Sequence, residues 1–196
     1  MDYFEVFGLP RRLMVDETAL QRNFYELSRR YHPDFHQGAS PEEQAQILKT
    51  SARVNAAYRA LRDPIRRIEY LVRLLEGREI EDAGAARPKP PAGLLAEMFE
   101  IQEALQEAHA GGLDATGRAA LQERREQLEI RYRAEEGRLR GPLSEAWDIS
   151  APGERPRALA ALKETLATRT YLRTVIDDLT QVLDEGRQTH VAHHRH

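Results

Sequence analysis

Apolar positions recur along the chain at three- and four-residue intervals, the period of an α-helix. Leu20, Phe24, Leu27 and Tyr31 follow one another at i, i+4, i+7 and i+11, with Asp16 placed to cap the run. This predicts an amphipathic helix over 16–31. A second run over about 42–62 carries Ile47, Val54, Tyr58 and Leu61 and opens on Ser40-Pro41, a helix-start signal. Two helices of similar length joined by a short polar loop pack antiparallel. Asp2 to Leu9 reads as a short leading helix ended by Pro10. Asp63-Pro64 closes the third helix, and a fourth spans 65–75.

Residues 77–93, GREIEDAGAARPKPPAG, lack periodicity and have linker composition. Beyond them Leu94, Met98, Ile101, Leu105 and Ala108 form a core stripe. A helix over about 115–140 carries Leu121, Leu128, Tyr132 and Leu139. A last helix over about 157–185 carries Leu159, Leu162, Leu166, Leu172, Val175, Ile176, Leu179 and Val182. Three long amphipathic helices with short turns predict a bundle. The fold class is therefore all-α. The expected domains are 1–75, a linker 76–93, a three-helix bundle 94–186 and a disordered tail 187–196.

Composition narrows the function. The 196 residues contain no cysteine, which excludes disulfides, thiolate metal sites and a cysteine nucleophile. Residues 1–75 carry a net +2 and the remainder −5, giving the overall −3. Neither part has the positive footprint expected of a duplex-DNA binder. No apolar run reaches the twenty or so residues that cross a bilayer, and the start MDYFEVFGLP lacks the pattern of a signal peptide. A cytoplasmic location without membrane or nucleic-acid partners is the expectation.

The loop between the second and third helices begins His32-Pro33-Asp34. As a catalytic pair, His32 and Asp34 would need a pocket and a third group to orient the imidazole. As a metal site, His32, Asp34 and His36 lack a fourth ligand at a recognisable spacing. As plain helix-stop chemistry, Pro33 suffices. Context adds to the tripeptide. It ends an amphipathic helix, a helix containing VNAAYRALRDP follows, and the chain opens DYFEVFGL. Together these resemble a J domain, the module with which DnaJ-type co-chaperones engage DnaK-type chaperones. That resemblance implies that His32, Pro33 and Asp34 dock on the partner and stimulate its ATPase. Arg22 and Arg29 point away from the apolar stripe and Arg30 flanks it. They form a basic surface suited to steering toward an acidic ATPase, interrupted by Glu26. The same arginines also fit a solvated helix face.

A J domain followed by a three-helix bundle, with neither a Gly/Phe-rich segment nor a cysteine-rich zinc region, resembles the HscB family over roughly residues 1–186. The resemblance implies a co-chaperone of iron–sulfur cluster biogenesis with two partners, an HscA/DnaK-type chaperone and an IscU-type scaffold. The family's scaffold-binding positions fall on Leu95, Ala96, Phe99, Glu100, Glu103, Glu107 and Tyr171. Ala96 stands where a bulkier residue is common, and Tyr171 replaces a Phe. An exposed Phe rimmed by acids suits a small protein-binding patch. Leu95 and Phe99 could instead widen the bundle core. No cofactor is expected: without thiolates the chain cannot hold a cluster, which then belongs to the partner. His190, His193, His194 and His196 form a terminal tract with no assigned role. A different client for the same J domain, or an enzyme using His32 and Asp34, are the competing readings.

Overall fold

The structure, a computed structural model, describes residues 1–77, 94–111 and 114–193. In chain order the helices are α1 (Tyr3–Val6), α2 (Glu17–Arg30), α3 (Pro41–Arg62), α4 (Pro64–Leu75), α5 (Leu95–Gly111), α6 (Ala115–Arg138), α7 (Ser144–Ile149) and α8 (Arg155–His193). A 3₁₀ turn, Pro33–His36, lies between α2 and α3, and a π-helical turn, Leu139–Leu143, follows α6. There is no strand among the described residues, so the chain is all-α as expected. It divides into two compact units, one of Met1–Gly84 with Leu139–Leu162 and one of Ala85–Arg138 with Lys163–His196.

In the first unit the helix starts are chemically marked. Asp2 and Glu5 form a reciprocal capping box on α1, and Ser40 and Glu43 another on α3. Asp16 accepts from the Ala19 amide at the start of α2, and Asp63 from the Arg66 amide at the start of α4. Gly77, at φ +67°, supplies the left-handed residue after α4 that a side chain would resist. The antiparallel pair α2–α3 is joined by Phe24 and Tyr58, whose rings stack 3.9 Å apart at 11°. Leu20, Val54, Ala57, Leu61, Ile65, Ile68 and Leu71 are buried among these helices, with Phe4 from α1.

Buried Arg67 ties the core to the loop before α2. Its Nε donates to the Leu61 carbonyl and its Nη1 to that of Leu13, each at 2.6 Å. Desolvation lowers its pKa, the largest of the influences on it. The same loop is held from the other side. Asp148 accepts from the amides of Leu13 and Met14, both at 2.8 Å, and α4 packs on the π-helical turn. The stretch 139–162, expected inside a 94–186 bundle, therefore belongs to the first unit.

The second unit is a three-helix core of α5, α6 and α8. Ile101 and Leu105 from α5, Leu121 and Leu128 from α6, and Leu172, Val175, Leu179 and Leu183 from α8 are all buried in one cluster. Arg169 of α8 clasps α6, donating to Glu136 and to the Tyr132 hydroxyl at 2.7 Å while lying 5.0 Å over the Tyr132 ring. Helix α8 continues to His193, through most of the segment expected to be a disordered tail. The expected linker from residue 78 to 93, and residues 194–196, lie outside the described residues.

Candidate functional site

The end of α2 is built so that a short, rigid turn follows it. Pro33 has no amide proton to extend the helix and fixes its own φ, which suits the first position of the 3₁₀ turn. His32 caps that turn: its Nδ1 accepts from the Asp34 amide at 3.3 Å. The ring is thereby turned back over the start of the turn. His36 donates from Nε2 to the Arg30 carbonyl at 2.8 Å and so closes the C-terminus of α2. The loop is thereby pinned at both ends by its own side chains.

What this turn presents is solvent-facing chemistry. The side chains of His32 and Asp34 are 52% and 74% exposed, with Nδ1 and Oδ2 3.6 Å apart. Pro33 between them is half-buried. Phe35 is 68% exposed and meets the His32 ring edge-on at 5.8 Å. Sequence reasoning passed over Phe35; the signal was an aromatic outside both helical stripes. No third group orients the imidazole for acid–base work among the described contacts. No cluster of three metal-ligating side chains occurs among the described residues either, and the Nε2 of His36 is already engaged with Arg30. A groove of about 300 Å³ lies beside the turn, lined by Pro33, Asp34, His36, Gln37, Ile47 and Leu48. Arg22, Arg29 and Arg30 are exposed along α2, as is Glu26 among them. Arg29 and Arg30 occupy the last turn, where cations complement the helix dipole, and Arg30 lies 5.6 Å over the Tyr31 ring.

A second cluster lies on α5. Phe99 is 67% exposed, and Glu100, Glu103 and Glu107 are exposed with it. Their spacing of three and four residues places them on one helical face. Glu100 pairs with Arg124 at 3.1 Å, so the acidic rim is partly neutralised on the α6 side. Leu95 and Ala96 stand in the first turn of α5, their side chains outside the described ones. Tyr171 does not join this surface. It is only 9% exposed, inside the core cluster, because it falls on the same face of α8 as Leu172, Val175 and Leu179. Its hydroxyl is buried without a hydrogen-bond partner among the described residues, and burial, followed by the nearby Glu97 charge, raises its pKa.

Comparison with known proteins agrees with this geometry. Residues 2–70 match the DnaJ domain family, the stretch that holds the α2–α3 pair and its exposed tip. The co-chaperone protein HscB of Proteus mirabilis (strain HI4320) is 32% identical over 169 residues, which cover 84% of this chain and 92% of that protein. Among solved structures, chaperone HscB from Vibrio cholerae aligns over 94% of this chain and 99% of its own, with a TM-score of 0.57 and 26% identity. The human co-chaperone protein HscB aligns over 92% and 81%, with a TM-score of 0.58 and 26% identity. A J domain with a pinned, exposed His-Pro-Asp turn, joined in one chain to a helical bundle that these relatives share nearly end to end, makes this chain a member of the HscB family of co-chaperones.

Proposed function

We propose that the chain is a cytoplasmic adaptor with two protein partners. It binds an IscU-type iron–sulfur scaffold through the α5 face and delivers it to an HscA/DnaK-type chaperone, whose ATPase it stimulates through His32, Pro33 and Asp34. The observation that carries this reading is the exposed, self-capped turn. Its polar groups are fixed in place yet stand in solvent, which suits docking on another macromolecule better than turnover of a small substrate. Family membership supports the same role. Arg22, Arg29 and Arg30 add electrostatic steering toward an acidic surface and raise the association rate more than the final affinity.

On α5, Phe99 serves as the apolar anchor and Glu100, Glu103 and Glu107 as its polar rim, with Leu95 and Ala96 extending the contact. Tyr171, as a core residue, acts by supporting the bundle that carries α5. Any iron–sulfur cluster is cargo held by the scaffold.

Two measurements test the assignment. With a purified HscA/DnaK-type chaperone, His32→Gln should abolish ATPase stimulation while leaving the circular dichroism spectrum and scaffold binding unchanged. Undiminished stimulation by that variant would remove the docking role of the turn. In a calorimetric titration against an IscU-type scaffold, Phe99→Ala with Glu103→Ala should weaken binding by about 1–4 kcal/mol. Wild-type affinity in the double variant would move the client surface off α5.

A further inference from the structure

A different face of the first unit carries a second constellation. Between α3 and α4 runs a groove of about 300 Å³ whose lining includes Tyr3, Arg59, Arg66, Glu69, Tyr70 and Arg73. Part of its wall is stiff and apolar: the Tyr3 and Tyr70 rings stack 4.4 Å apart at 13°, and the Tyr3 amide donates to the Tyr70 hydroxyl at 2.8 Å. Three guanidinium groups border that wall. Arg59 and Arg66 are exposed, and Arg73 is half-buried. None of the three forms an ion pair with a described residue, although Glu69 sits three positions after Arg66 and four before Arg73. The Nε of Arg73 is buried with no acceptor among the described residues. A buried charged donor left without an acceptor is costly, and native folds rarely leave one unmet.

We propose that this groove is a docking site for an extended acidic segment of a protein partner, separate from the His-Pro-Asp turn. Charge and spacing define the occupant. Arg66 and Arg73 lie seven residues apart on α4, roughly 10 Å along the helix axis. A single phosphate is too short to reach both. A peptide in polyproline II conformation repeats a side-chain direction every third residue, a rise of about 9 Å. Carboxylates at every third position therefore match the guanidinium spacing, with the intervening residues against the tyrosine wall. A nucleic acid fits less well: residues 1–75 carry only a net +2, and Glu69 faces the same groove.

The test uses the full chain and a fluorescein-labelled dodecapeptide with Glu at every third position in a Pro/Gly background, read by fluorescence anisotropy at low salt. The site predicts saturable binding that falls about tenfold or more in the double variant Arg66→Gln, Arg73→Gln and weakens with added salt. Removing the same charge elsewhere, with Arg12→Gln and Arg133→Gln, should change affinity less than twofold. Arg66→Gln alone, at an exposed position, gives the same comparison should the double variant unfold. Equal affinity in the groove variants overturns the proposal, as does an equal loss in both doubles, which would mean net charge alone. Displacement by equimolar inorganic phosphate, or tighter binding of a single-stranded oligonucleotide of equal charge, would also overturn it.

Discussion

Tyr171 shows how one side chain can satisfy packing while straining its own polar atom. Its ring completes the core of the second unit, but its hydroxyl is buried without a partner among the described residues. Leaving a hydroxyl dry and unpaired costs roughly 1–3 kcal/mol, so Tyr171→Phe should stabilise the chain by about 1 kcal/mol in urea unfolding. The pH dependence follows from the raised pKa. The folded state favours the neutral phenol, so this contribution is intact below the unfolded value near 10 and is lost as pH rises through the higher folded value. The phenylalanine variant should therefore lose less stability under alkaline conditions, and an equal or steeper loss would contradict the burial argument. Residue identity alone did not reveal this burial. Tyr171 was placed at the binding surface by resemblance, whereas its register with Leu172, Val175 and Leu179 puts it in the core. Phe99 was legible for the opposite reason: it lies off the stripe of Leu94, Ile101 and Leu105 and is exposed as its position implied.

At the scale of elements, local chemistry was readable and distant chemistry was not. Asp16 and Ser40 cap the helices that their positions announced, and α2, α3 and α4 begin and end within a residue or so of the expected bounds. Capping acts across three residues, so it is written in the adjacent sequence. The clip that Asp148 makes on Leu13 and Met14 spans more than 130 residues, and no periodicity encodes it. For this reason the stretch around α7 was assigned to the wrong unit. Asp148→Ala removes the acceptor for the amide of buried Leu13 and should destabilise the first unit by about 1–3 kcal/mol. Hydrogen exchange should show the loss as faster exchange in α7 and the loop before α2. Protection equal to wild type in both segments would show the clip to be energetically idle.

For the molecule as a whole, the proposed function requires two protein-binding surfaces on one chain, the turn after α2 in the first unit and the α5 face in the second. Composition removed thiolate chemistry at the outset, since the chain has no cysteine to ligate a cluster. Helical periodicity gave the all-α class for the same reason that it gave the helices: each buries one stripe and exposes the rest. An adaptor differs from a mere pair of binding modules in that both surfaces must reside on the same molecule, where linkage raises the effective concentration of one partner near the other. The most direct measurement is the ATPase rate of an HscA/DnaK-type chaperone at limiting concentrations of an IscU-type scaffold and of this chain. Wild type should raise the rate well above the sum of the separate effects. An equimolar mixture of His32→Gln with the Phe99→Ala, Glu103→Ala variant, which holds each intact surface on a different molecule, should fail to do so. Full recovery of the rate by that mixture would contradict the adaptor mechanism.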